Sequence, residues 1–252
     1  MNFLLCGDRN APPVLLIHGI ASDAESCYGT IARRLGKSYR VILACLDGHD
    51  LYQETTFESI SVCCEKIERY INKRFGGEVY AVSGFSLGGN AALELMKRGV
   101  IKTRCLHLDA AFCTNAGIMK TPLTLYYTKG ADMRRKGIRM PKLVTELLFG
   151  KGSTANAECF SKEVSSETLG AACRDVFGYT LSPRLTRCSV PVQYWCGSNE
   201  KYAKKSARSL EGYLPGIKVR VFKGLGHGQM LREHEKAYYR ELKRFLAEAA
   251  DK

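Results

Sequence analysis

Short apolar runs rich in β-branched residues recur along the chain. Each is followed by a glycine-bearing turn and then by a longer stretch with helical periodicity. The pattern predicts strands over Val14–Ile17, Arg40–Leu46, Val79–Ser83, Arg104–Leu108, Val192–Cys196 and Lys218–Phe222, and helices over Glu25–Leu35, Phe57–Arg74, Gly88–Arg98, Lys201–Tyr213 and His234–Ala249. Strands alternating with helices imply βαβ units, hence an α/β protein whose mostly parallel sheet has helices on both faces. The alternation breaks once. Residues 112–182 contain no strand signal but several helix-like stretches, including Lys142–Phe149 and Ser166–Val176. A plain loop of that length is foreign to a compact domain, so the segment reads as a helical insertion over the sheet. Residues 1–111 and 183–252 then form the core domain, of a size one hydrophobic core can fill.

Composition narrows the class. The 252 residues are 45% hydrophobic and 25% charged, as in ordinary globular proteins. The longest uninterrupted apolar run is Val41–Leu46, whereas a spanning helix needs about 20 residues, so no membrane span is expected. No basic residue precedes Arg9 and no signal-peptide apolar stretch follows it. The eleven cysteines are scattered, odd in number and form no Cys-x-x-Cys pair, and none lies near a histidine at zinc-ligand spacing. They read as small buried hydrophobes of a reducing, cytoplasmic protein, with no metal site. The formal charge is +13, and it is unevenly distributed: residues 1–111 carry 13 basic and 12 acidic side chains, residues 112–252 carry 25 and 13. No nucleic-acid recognition motif accompanies this charge.

The most specific motif is Val79-Tyr80-Ala81-Val82-Ser83-Gly84-Phe85-Ser86-Leu87-Gly88-Gly89, a strand running through Gly-x-Ser-x-Gly into a helix. A serine on so tight a turn has a strained backbone, and glycines two residues to either side relieve the crowding. The turn lifts the Ser86 hydroxyl above the sheet beside the positive end of the following helix. A serine hydroxyl becomes nucleophilic only when a base takes its proton. Of the five histidines, His227 in Gly224-Leu225-Gly226-His227-Gly228 is best placed, after the last strand and before the last helix. His18 and His49 lie in turns, His107 within a strand, and His234 at the start of a solvated helix. The base needs an acid. Glu200, in Gly197-Ser198-Asn199-Glu200 past the preceding strand, is preferred, with Asp109 at the end of the strand after the elbow helix as its rival. The run Val14-Leu15-Leu16-Ile17-His18-Gly19-Ile20-Ala21 ends in a turn whose Ile20 amide, with that of Leu87, would form an oxyanion hole. His18 would brace that turn.

Together these segments resemble the α/β-hydrolase fold family, whose chain order of nucleophile, acid and histidine matches Ser86, Glu200 and His227. The resemblance spans nearly the whole chain and includes Leu46-Asp47-Gly48-His49-Asp50, similar to the family's Asp-x-x-Gly-His-Gly segment. It implies that residues 112–182 are a cap, or lid, over the active site. The chain departs from the family in carrying Glu where many relatives have Asp, and Asp50 where the final glycine usually stands. A serine nucleophile sets it apart from the haloalkane dehalogenase and epoxide hydrolase branches.

Other motifs fail. Gly36-Lys37-Ser38 has Ile31 where a phosphate-binding loop requires glycine, and neither glycine-rich turn reads Gly-x-Gly-x-x-Gly, so no cofactor is expected. The expected activity is serine hydrolysis of a carboxylic ester or thioester, with a small-molecule acyl substrate and the oligomeric state left open. The cations Lys129, Arg134, Arg135, Lys136, Arg139 and Lys142 of the insertion, and Lys201, Lys204, Lys205 and Arg208, could steer an anionic substrate or simply keep the surface solvated. They motivate an alternative, triad-dependent carbon–carbon hydrolysis or proton abstraction on an anionic substrate. A further alternative is a non-catalytic ligand-binding protein on the same fold. The insertion's Tyr126, Tyr127, Phe149, Phe160, Phe177 and Tyr179 could line an acyl pocket or pack the insertion onto the sheet.

Overall fold

The computed structural model describes residues 1–50, 53–138, 140–151 and 164–249. In chain order the elements are β1 (Asn2–Cys6), β2 (Pro13–Ile17), α1 (Ala24–Leu35), β3 (Arg40–Cys45), α2 (Ile60–Phe75), β4 (Glu78–Phe85), α3 (Leu87–Arg98), β5 (Lys102–Asp109), α4 (Lys120–Arg135), α5 (Lys142–Phe149), α6 (Ser166–Gly178), β6 (Val192–Gly197), α7 (Lys201–Glu211), β7 (Lys218–Phe222), α8 (Gln229–Glu233) and α9 (Glu235–Glu248). The strands form one seven-stranded sheet in the order β1-β3-β2-β4-β5-β6-β7. All neighbours run parallel except β1, which pairs antiparallel with β3.

Val14 to Ile17 and Val41 to Cys45 are buried at every consecutive position, the mark of strands covered on both faces. Two helical layers supply the cover: α1 packs with α9, and α2 with α3. Local chemistry sets the helix starts. The Asp23 carboxylate accepts from the Ser26 amide at 2.8 Å, and the Ser59 hydroxyl accepts from the Val62 amide at 3.1 Å. Gly76, in left-handed conformation, ends α2. The Arg98 guanidinium clamps both oxygens of Glu68, at 2.7 and 3.0 Å, and so ties α3 to α2.

All six expected strands form, as does the expected α/β layering. The sequence pattern missed β1: its residues Asn2-Phe3-Leu4-Leu5-Cys6 do not alternate, because an edge strand with mostly half-buried side chains has no solvent face to mark. The pattern's last helix, His234–Ala249, matches α9, but the pattern missed the short α8 that ends just before the exposed His234. Helix α2 starts at Ile60 rather than Phe57, because Ser59 caps it.

Between β5 and β6 the described residues hold α4, α5, α6 and two short 3₁₀ turns, with no strand. Phe160 and Arg139 lie outside the described residues, as does the side chain of Phe149. Of the other insertion aromatics, Tyr126, Tyr127 and Phe177 are buried and Tyr179 is half-buried. Tyr127 and Phe112 both lean on Phe177, with ring centroids 6.0 and 5.5 Å away, so aromatic packing joins this segment to the sheet. The ten described cysteines are all free, eight of them buried. No helix among the described residues is long and apolar enough to cross a membrane.

Candidate active site

Three non-glycine residues among those described have a left-handed backbone: Ala21 (φ 57°), Ser86 (φ 52°) and Ala110 (φ 50°). Ser86 and Ala110 directly follow β4 and β5, and Ala21 lies in the turn after β2. Backbone strain therefore gathers at the carboxyl ends of three adjacent strands, where open α/β sheets bind ligands.

The elbow glycines are required by contact. A Cβ on Gly84 would lie 2.1 Å from the Gly88 carbonyl oxygen, and one on Gly88 would lie 2.0 Å from the carbonyl oxygen of Ile17. The first turn of α3 thus rests directly on the backbone at the end of β2. Ser86 is held in its strained conformation by its amide, which donates to the Asp109 carbonyl at 2.8 Å.

The structure brings Ser86, His227 and Glu200 together. His227 Nδ1 lies 2.7 Å from Glu200 Oε2, and its Nε2 lies 3.2 Å from Ser86 Oγ. A carboxylate can only accept, so Nδ1 carries the proton and Nε2 turns a lone pair to the serine hydroxyl. All three side chains are buried. The other Glu200 oxygen accepts from the Gly197 amide at 2.6 Å, which fixes the longer glutamate side chain in the turn.

Several contacts here were invisible in the pattern of residue types. The acid turn and the histidine turn are stitched together: the Asn199 amide donates to the Leu225 carbonyl at 3.0 Å, its side chain donates to the Gly224 carbonyl at 2.9 Å, and the Gly224 amide donates to the Ser198 hydroxyl at 2.8 Å. The rings of Phe85 and Phe112 flank the imidazole, at centroid distances of 5.1 and 6.0 Å. Asn90 of α3 in turn exchanges hydrogen bonds with the Phe112 backbone, accepting from its amide at 3.3 Å and donating to its carbonyl at 2.5 Å.

Asp109 is buried as well. Burial, and then the charge of Glu200, hold its carboxyl well above the usual carboxylate range, while the Tyr238 hydroxyl offsets part of the rise. The remaining histidines have structural partners or none of the chemistry. His18 donates from Nδ1 to the Gly19 carbonyl at 2.8 Å and accepts at Nε2 from the Leu46 amide at 3.1 Å, so it is neutral and ties its turn to the end of β3. His49 Nδ1 lies 3.1 Å from the Asp47 carbonyl, and His107 Nδ1 lies 2.9 Å from the Ser83 hydroxyl. Burial pulls His18 down to about 4, and His49 and His107 down to about 3.

Leu87 is the first residue of α3, where amides have no intrahelical partner. The turn containing Ile20 lies against the elbow: a Cβ on Gly19 would meet the Phe85 ring at 2.7 Å and the Ser86 Cβ at 3.4 Å. No group of three or more His, Cys, Asp or Glu among the described residues is arranged to hold a metal ion.

The chain matches the model of the alpha/beta hydrolase family over residues 14–241 and belongs to that family. Its structure is similar to an alpha/beta hydrolase family protein from Desulfitobacterium hafniense, with a TM-score of 0.87 and 23% identity over 97% of this chain and 100% of that one. An enol-lactonase from Burkholderia xenovorans LB400 matches with a TM-score of 0.76 and 17% identity, covering 98% of this chain and 96% of the other. A thermophilic esterase from Thermogutta terrifontis matches with 0.72 and 17%, covering 98% and 93%. No curated protein sequence matches the chain. At such identities the structural likeness speaks to the fold alone.

Two predictions follow from this geometry. Gly88→Ala drives a methyl into backbone that has no room to move, so it should destabilise the fold by about 3 kcal/mol or more, read as a fall in the thermal midpoint; an unchanged midpoint would refute the close approach. On acidification below pH 6.5, the unfolded chain protonates His18, His49 and His107 while the folded chain leaves them neutral down to about 4, 3 and 3. Asp109 contributes in the opposite direction, because the folded state holds its proton longer. Unfolding then takes up a net of about two protons, so stability in urea titrations should drop by about 2–3 kcal/mol per unit between pH 6 and 5. A flat profile there would contradict the buried neutral imidazoles.

Proposed function

We propose that the protein is a serine hydrolase that cleaves carboxylic esters or thioesters through an acyl-enzyme on Ser86. The observation that carries this reading is the unbroken chain of contacts from Glu200 through His227 to Ser86, ending on a hydroxyl in a strained turn. Ser86 Oγ attacks the acyl carbonyl carbon as His227 Nε2 takes its proton, and Glu200 stabilises the imidazolium that results. The negative charge that develops on the carbonyl oxygen is met by the amides of Leu87 and Ile20. Collapse of the tetrahedral intermediate breaks the bond to the alcohol or thiol, which leaves with the proton from His227. Water, deprotonated by the same base, then attacks the acyl carbon and releases the acid and Ser86.

Residues 112–182 serve in this reading as the cap over the strand ends, with 1–111 and 183–252 as the catalytic core. The esterase and enol-lactonase named among the structural neighbours fit the same acyl chemistry. The cationic insertion favours a second reading, carbon–carbon cleavage of an anionic substrate by the same three residues, and product analysis on an ester and a carbon acid in parallel distinguishes them.

Ser86→Ala should lower kcat on p-nitrophenyl esters by about a millionfold and abolish labelling by a fluorophosphonate; full activity in this variant would overturn the mechanism. Glu200→Gln should lower kcat by about a thousandfold or more, with Asp109→Asn costing far less. A larger loss in the Asp109 variant would reassign the acid.

A further inference from the structure

Among its described side chains, helix α5 is inside out. Leu143 and Leu147, one turn apart, are 78% and 73% exposed, and Val144 beside them is 39% exposed. Thr145 is buried instead, its hydroxyl 2.8 Å from that of Tyr126 on α4. A helix at the surface of a soluble protein normally presents the reverse pattern.

The apolar surface continues beyond α5. Ile138, in the turn before it, and Leu125 on α4 are each half exposed. The two helices lie side by side in opposite directions, since Tyr126 meets Thr145 while the Met140 side chain lies against Gly130. The same stretch is strongly basic: residues 116–151 hold eight Lys and Arg against Asp132 and Glu146. Both acids are engaged within the pair, Asp132 by Arg135 at 2.6 Å and Glu146 by Lys142 at 3.9 Å. Lys129 and Lys136 are exposed.

We propose that this helical pair docks onto the surface of an anionic phospholipid bilayer. Exposed leucines among lysines combine the two forces that hold a helix in a lipid interface: burial of apolar side chains among the acyl chains and attraction of cations to anionic headgroups. A second copy of the chain fits the face less well, because a two-fold contact would set this positive surface against itself. The inference is independent of the chemistry at Ser86.

The test is co-sedimentation of the full chain with phosphatidylcholine vesicles, with and without phosphatidylglycerol, alongside turnover of a water-soluble ester. The protein should pellet with the phosphatidylglycerol vesicles only, and salt should release it. The double variants Leu143→Ser/Leu147→Ser and Lys129→Glu/Lys136→Glu should each weaken that binding by about tenfold or more while leaving soluble-ester turnover unchanged. Absence of pelleting by the unaltered protein, or pelleting indifferent to both variants, overturns the proposal. So does self-association in sedimentation velocity that the leucine variant abolishes, which would assign the face to a second copy. Vesicle binding by a protein that turns over no ester would uphold the docking and defeat the hydrolase reading instead.

Discussion

The backbone of Gly88 rests on the carbonyl group of Ile17, with no space for even a methyl group between them. That contact presses the start of α3 onto the end of β2, and the turns on either side have little freedom once it is made. The elbow must then reverse within the length of Gly84 to Gly88, which throws Ser86 into a left-handed conformation. The turn after β2 is pressed against Phe85, and His18 extends the constraint sideways by accepting from Leu46 at the end of β3. Three strand ends thereby become one rigid edge.

Strain of this kind costs on the order of 1–3 kcal/mol per residue and persists only where the surroundings over-determine it. Here the surroundings are hydrogen bonds between neighbouring strand ends. The Ser86 amide is held by the Asp109 carbonyl and the Ala110 amide by the Trp195 carbonyl, both at 2.8 Å. The acid turn continues this pairing, the Ser198 amide donating to the Phe222 carbonyl at 2.9 Å, and the acid and histidine turns also bond to each other through Ser198, Asn199, Gly224 and Leu225. The imidazole is thus aimed by two loops bonded to each other, with the rings of Phe85 and Phe112 on either side of it.

What could be read from the sequence was whatever the backbone itself demands. Elbow glycines are forced by steric contact at fixed spacing, so Gly84, Ser86 and Gly88 announced themselves, and long buried strands wrote unbroken apolar runs. The relation between Glu200 and Asp109 was less legible because both end strands at the same edge; only the direction and reach of each side chain separates them, and the Gly197 amide that seats Glu200 carries no residue-type signal. Edge strand β1 and helix α4 left weak patterns, the one for lack of a solvent face and the other because Pro122, Gly130 and several polar residues interrupt its periodicity. Phe112 looked like the first residue of an insertion and proves to be a wall of the histidine site.

The cysteines carry a consequence of another kind. Burial raises the pKa of all ten described thiols, so they stay protonated, and a protonated, enclosed thiol is a poor target for oxidants and alkylating agents. Half-buried Cys6 and Cys188 lie nearest the surface, whereas the eight buried ones meet a reagent only when the surrounding structure opens. Their rates of modification therefore keep time with opening of the fold: the side chains that pack its core also serve as a built-in clock for its loss.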